Sequence, residues 1–122
     1  MNTKDFECLV EKCLRRIPQV FRDALENLQI VVEDSPDPDL MEELFGDRDT
    51  MLYGLFVGTP ITEKHFDDWG GPPALIYIWQ KPLEEDFPDA EDLEREVEVT
   101  LVHEIGHFMG FEEDTLAEYG YE

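Results

Sequence analysis

The chain has 122 residues, 42% of them hydrophobic and 11% aromatic, which fits one domain spanning residues 1–122 with a real apolar core. Its net charge of -22 repels phosphate backbones and anionic lipid surfaces, so neither nucleic acid nor a membrane is expected as a partner. No stretch approaches the roughly 20 apolar residues of a membrane span, and the polar start Met1 to Glu7 has no signal-peptide pattern, so a cytoplasmic location is expected.

Charge is unevenly spread. Residues 1–22 carry Lys4, Lys12, Arg15, Arg16 and Arg22 against Asp5, Glu7 and Glu11, a segment of net +2 that leaves -24 for the rest. A field of that sign favours cations, so a cationic substrate or a bound metal fits it, as does a solvated acidic surface that serves solubility alone. Cys8 and Cys13 are five apart, point in different directions on a helix and form no C-x-x-C pair, so both are expected as reduced thiols.

In chain order, Phe6, Leu9, Val10, Cys13, Leu14 and Ile17 recur at spacings of three and four and predict a helix from Thr3 to Arg16. Pro18 opens a second short helix with Phe21, Ala24, Leu25 and Leu28 inward. Leu28 to Val32 then reads as a strand ending at Glu33 and Asp34. Residues 34–39 form an acidic turn, and Leu40 to Phe45 make one or two helical turns before Gly46. Met51 to Val57 and Ala74 to Trp79 read as a second and a third strand. The third is the more continuous apolar run and therefore the inner one, leaving Met51 to Val57 as the edge. Gly58 to Pro73 between them is a long loop containing His65 and Trp69, of the kind that is often functional.

Asp89 is an expected N-cap, followed by acidic residues where the helix dipole favours them. Leu93, Val97, Leu101, Val102, Ile105, Phe108 and Met109 give the long helix after it a broad apolar stripe, which Gly110 ends. The acids from Glu91 to Glu98 and the run Glu84-Glu85-Asp86 read as solvated faces. Thr115 to Tyr119 forms a final short helix.

The chemistry lies on the long helix. His103-Glu104-Ile105-Gly106-His107 is H-E-x-x-H, in which residues i and i+4 lie about 40° apart on one helical face and can reach one zinc ion. Glu104 sits about 100° from His103, close enough to take a proton from a zinc-bound water without itself being a ligand. With three His and 18 Glu in the chain, a shuffled sequence would show the pattern roughly once in a hundred times, so coincidence explains it poorly. Zinc needs a third protein ligand. Gly110 turns the chain back toward the helix, and Glu112, Glu113 and Asp114 follow. Glu113 stands where the H-E-x-x-H-x-x-G-x-x-H pattern of the metzincins places its third His. His65, Tyr119 and Tyr121 are further candidates, the first as a ligand or substrate contact, the tyrosines as oxyanion donors. Loop solvation and tail packing explain these three as readily, and Trp69 and Trp79 suit a core or a lid.

His103 to Glu113, followed by Asp114-Thr115-Leu116-Ala117-Glu118-Tyr119-Gly120, resembles the C-terminal signature of the small bacterial zincin-like metallopeptidases, or minimal zincins. The likeness extends more loosely to Leu52 to Val57 with Thr59-Pro60-Ile61-Thr62, and to Ile76-Tyr77-Ile78 leading to Lys81-Pro82. It implies an α+β domain with a small mixed sheet packed on an active-site helix and N-terminal helices. It also implies one Zn2+ per chain held by His103, His107 and Glu113, and peptide-bond hydrolysis with Glu104 as general base. The chain departs from the metzincins proper: between Gly110 and Glu122 there is no Met to form a turn beneath the metal. The expected partner is a peptide or protein substrate of cationic character. The alternative is a zinc-binding interaction or regulatory domain with little turnover, and a third reading is an acidic binding protein without metal.

Overall fold

The computed structural model describes residues 1–63 and 74–121; the expectations for His65 and Trp69 lie outside them. Helix α1, Thr3–Arg16, starts where the Asn2 side chain accepts from the Asp5 amide and buries Phe6, Val10 and Cys13. It stops at Ile17, held extended by the following Pro18. The second helix is shorter than its apolar positions suggest: α2 covers Gln19–Asp23, and a 3-10 turn, Ala24–Asn27, delivers the chain into strand β1, Leu28–Glu33.

Helix α3, Pro38–Phe45, begins before Leu40 because Asp37 caps it and Pro38 suits its first turn; Gly46 ends it in the left-handed region. Strand β2 is Gly54–Val57 and β3 is Ala74–Trp79. The sheet order is β1-β3-β2, with β1 parallel and β2 antiparallel to β3. The expected inner and edge strands are therefore found, although β2 is shorter than Met51 to Val57. The Tyr53 carbonyl still accepts from the amide of Trp79, the last residue of β3, but Met51 lies beyond the end of β3 and is exposed.

Beyond Trp79 the chain enters α4, Gln80–Asp86, an element the sequence reading does not anticipate. Pro82 is tolerated there because the first turn of a helix needs no amide donor. Helix α5, Ala90–Met109, has the expected Asp89 cap, accepting from the Glu91 and Asp92 amides, and the expected left-handed Gly110 at its end. Helix α6, Glu113–Glu118, starts two residues earlier than Thr115, with two carboxylates in its first turn where the dipole stabilises them.

Helix α5 packs across β2 and β3 and is flanked by α1. Val97, Leu101, Val102 and Ile105 share one core with Ile76 and Ile78 of β3 and with Phe6, Val10 and Cys13 of α1. Each such buried aliphatic side chain stabilises the fold by roughly 1.5 to 3 kcal/mol. Trp79 is fully buried, stacked on Tyr77, with its indole N–H donating to Glu33, so it is a core aromatic. This is a small α+β fold with a mixed three-stranded sheet on a long helix. Among the described residues no helix is long and apolar enough to cross a membrane.

Candidate metal centre

The last two turns of α5 carry His103, Glu104 and His107, and two close approaches assemble the surroundings. At Gly54 any Cβ would lie 2.7 Å from Cγ2 of Thr100 and 2.9 Å from the Tyr77 carbonyl, so the missing side chain lets β2 sit directly on α5. At Gly106, inside the H-E-x-x-H run, a Cβ would lie 2.7 Å from Cδ2 of Leu116. That gap seats α6 against α5 and brings Glu113, its first residue, over the histidines.

Glu104 faces the free edge of β2. Its Oε1 accepts the Phe56 amide at 2.8 Å and lies 3.3 Å from Nδ1 of His107. The side chain is 13% exposed, and among the described residues Oε2 takes no protein hydrogen bond. Glu104 holds the His107 imidazolium above the usual histidine range; partial burial pulls the other way, and Glu113 adds a smaller upward push.

Glu113 bridges the two rings. Its Oε2 lies 3.7 Å from Nδ1 of His103 and its Oε1 3.9 Å from Nε2 of His107. Glu112 and Asp114 make no such approach among the described residues. Nε2 of His103 points the other way, 3.0 Å from the carbonyl oxygen of Tyr121.

Two imidazoles and a carboxylate are a zinc donor set, and tetrahedral zinc with ligands at 2.0 to 2.2 Å sets donors about 3.4 Å apart. The two observed separations are a few tenths of an ångström wider. Among the described residues no group of three His, Cys, Asp or Glu converges closely enough to hold a metal ion. Two imidazoles and a carboxylate are nevertheless the donor types zinc takes, and Glu113, 68% exposed, is the least confined of the three.

Tyr119 is exposed and packs edge-on to Phe21. The Tyr121 hydroxyl donates to Glu98, away from the histidines; tail packing accounts for both. The expected solvated face from Glu91 to Glu98 holds for Glu91 and Asp92, whereas Glu94 is half-buried under Lys12 and Arg16. Glu98 is buried, accepting from Arg16 at 2.6 Å and from Tyr121 at 2.8 Å. Sequence reasoning also passes over the Phe56 amide and the Tyr121 carbonyl, main-chain groups that no residue type announces.

A groove of about 270 Å³ runs between residues 52–54 and α5, from Glu96 past Val99 and Thr100 to His103 and Glu104. A larger hollow, about 450 Å³, lies between α1 and β1. It is lined by Glu7, Glu11, Gln29 and aliphatic side chains without a histidine, so the smaller groove is the one beside the donor set.

Comparison with known proteins adds three findings. The sequence pattern of a family described as zincin-like metallopeptidase matches residues 25–121. A solved structure of a conserved hypothetical protein from Thermo thermophilus is similar with a TM-score of 0.58 at 22% identity, covering 96% of this chain and 98% of that one. That likeness speaks for the fold alone. Comparison with curated proteins gives no match.

Proposed function

Since the chain belongs to the zincin-like metallopeptidase family, we propose that it is a zinc-dependent peptidase in which His103, His107 and Glu113 hold the metal and Glu104 is the general base. The observation that carries this reading is the position of Glu104, fixed through Oε1 by the edge-strand amide of Phe56 while Oε2 bonds to no described residue. A bound zinc ion would supply a Lewis acid that brings the pKa of a water to near 7.

The chain's own groups do the rest. Glu104 takes the proton of the attacking water at Oε2 and returns it to the departing amine. The main-chain groups of Gly54 and Phe56 face away from β3, because alternate residues of an antiparallel strand bond to the neighbour and Tyr53 is one that does. The Phe56 amide is taken by Glu104, so an extended peptide would pair with the Gly54 groups and the Phe56 carbonyl along that edge, as in strand-addition recognition. Glu96, at the far end of the groove, and the net charge of -22 favour a substrate with Lys or Arg near the cut. The free thiols Cys8 and Cys13 suit a reducing compartment such as the cytoplasm.

The deciding experiment is metal analysis with peptide-library cleavage on one preparation. Zinc-replete protein should carry about one zinc per chain, lost in His103→Ala and His107→Ala, and should cut the library until a chelator is added. Protein without zinc enrichment would remove the reading. Zinc without cleavage would leave a zinc-binding domain of another role.

A further inference from the structure

The two edges of the sheet border different surfaces. Beside β2 lies Glu104 with the histidines, whereas β1, on the far side of β3, borders the hollow of about 450 Å³. Residues 29–32 form one wall of that hollow, and Glu7, Val10, Glu11 and Leu14 of α1 form the other. The walls match in length: three strand steps span about 10 Å, and the seven helix steps from Glu7 to Leu14 span about 10.5 Å.

The outer edge of β1 is unprotected. All six of its residues pair with β3 in unbroken register, from Leu28 with Ala74 to Glu33 with Trp79, so no bulge twists the edge away. The strand has no Lys or Pro, the residues that ordinarily blunt an edge. Among the described residues, Gln29 to Val32 make no main-chain bond outside the sheet, which leaves a row of outward amides and carbonyls beside the hollow.

The opposite wall supplies charge. Glu7 and Glu11 are exposed and stand in no ion pair among the described residues. Lys12 and Arg16 lie about 140° around the helix from them and are bound to Glu94 and Glu98 of α5. The other cations of α1, Lys4 and Arg15, do not line the hollow. Glu7 and Glu11 are about 6 Å apart along the helix axis, and alternate side chains of an extended chain are about 6.6 Å apart. A strand added to β1 would set two basic side chains on the two carboxylates and turn the residue between them to the other side of the sheet. We infer that this hollow is a docking groove for an extended basic segment of another protein, with Lys or Arg at alternate positions and its main chain paired to β1. A second copy of the chain is a poor occupant, because it would bring another net charge of -22 to the same place. Since β3 separates this groove from the β2 edge, its occupation requires neither zinc nor hydrolysis.

The test uses a blocked heptapeptide of alternating lysine and valine, added to the 15N-labelled full chain with a chelator present so that no cleavage intervenes. The amides of residues 28–33 should shift on binding. Glu7→Gln/Glu11→Gln should keep the wild-type unfolding midpoint, because both side chains are exposed, and should bind roughly 5- to 25-fold more weakly, the worth of two surface ion pairs. The same peptide N-methylated at every residue keeps all its charges but has no main-chain donor, and should not shift residues 28–33. Wild type with no shift there overturns the inference, including the case in which only residues 54–57 and α5 respond. So does a Glu7→Gln/Glu11→Gln protein that binds as tightly as wild type, or an N-methylated peptide that binds as well as its parent. A chain that is dimeric without peptide, with the β1 amides at the contact, would give the edge to a second copy and also overturn it.

Discussion

Glu98 and Glu104 lie on the same helix, less than two turns apart, with side chains 11% and 13% exposed, yet their surroundings are opposite. Around Glu98, Arg16 donates at 2.6 Å, Tyr121 donates at 2.8 Å, and Arg95 stands at 3.7 Å. A charge so nearly removed from water is tolerated because cations and donors surround it. Glu104 has an amide and a histidine, and no Lys or Arg among the described residues. In the first half of α5 the basic end of α1 also compensates Glu94, through Lys12 and Arg16. The last two turns, with their histidines and Glu113, keep an uncompensated acidic charge. Charge is thus balanced at Glu98 and left unbalanced about 9 Å further along the same helix, where the proposed zinc site lies.

Breaking the balanced half should produce the largest change in stability. Arg16→Met keeps most of the stem's packing but leaves Glu98 with Tyr121 and the more distant Arg95. Removing one partner of a fully buried pair costs roughly 3 to 5 kcal/mol. Arg16 is half-exposed and Glu98 retains other donors, so about 2 kcal/mol is expected, read as a lower urea midpoint at unchanged slope. A loss under about 0.5 kcal/mol, the range of an ordinary surface change, would mean that Glu98 needs no cation and that the contrast with Glu104 is empty.

The same half contributes to the alkaline limit, beside the Tyr53 phenol, which its bond to Asp86 raises to about 12. Burial, with smaller upward pushes from Glu98 and Glu94 against a downward pull from Arg16, raises the Cys13 thiol to about 11. Burial and then the bond to Glu98 raise the Tyr121 phenol to about 12. The folded state holds both protons more tightly than the unfolded state. The stability they contribute is therefore complete below the unfolded values of 9.0 and 10.0 and lost as pH rises through the folded ones. His107, also raised, loses its contribution at a lower pH, upward from 6.5. Denaturation midpoints across this range should fall in two separate steps, the upper one reduced in Tyr121→Phe. A midpoint flat between pH 9 and 11 would contradict the account of the α1 interface.

Legibility in the sequence follows the range of the interactions. Helix α5, its Asp89 cap and its Gly110 stop are local signals and readable, as is the H-E-x-x-H spacing. The inner and edge strands are readable because Ala74 to Trp79 is continuously apolar. Helix α4 escapes notice because Lys81-Pro82 looks like a strand's end, whereas a proline in a first turn costs a helix nothing. Glu98 looks solvated because its compensating cation, Arg16, is 82 positions away, and periodicity within one helix carries no information about its neighbour. The groups fixing Glu104 and His103 are a main-chain amide and a carbonyl, which become specific only when β2 and the tail are in place.

Glu104→Gln should change stability least and chemistry most. The amide oxygen can still accept from the Phe56 N–H, so the edge-strand bond survives, and the substitution removes a charge that no Lys or Arg among the described residues compensates. The expected cost is within about 0.5 kcal/mol, in contrast to Arg16→Met, which strips a cation from Glu98 on the same helix as Glu104. Zinc content should stay at one per chain because Glu104 is not among the proposed ligands. The His107 imidazolium should titrate at lower pH, since the bond to Glu104 is the largest cause of its upward shift. Hydrolysis should fall by about 10²- to 10⁴-fold, the range of a lost general base, with the loss in kcat. If the variant binds zinc and cleaves as well as wild type, Glu104 serves only to tie α5 to β2 and another group must accept the proton. A variant that loses several kcal/mol of stability would show that Glu104 belongs with Glu98 after all, as a structural carboxylate.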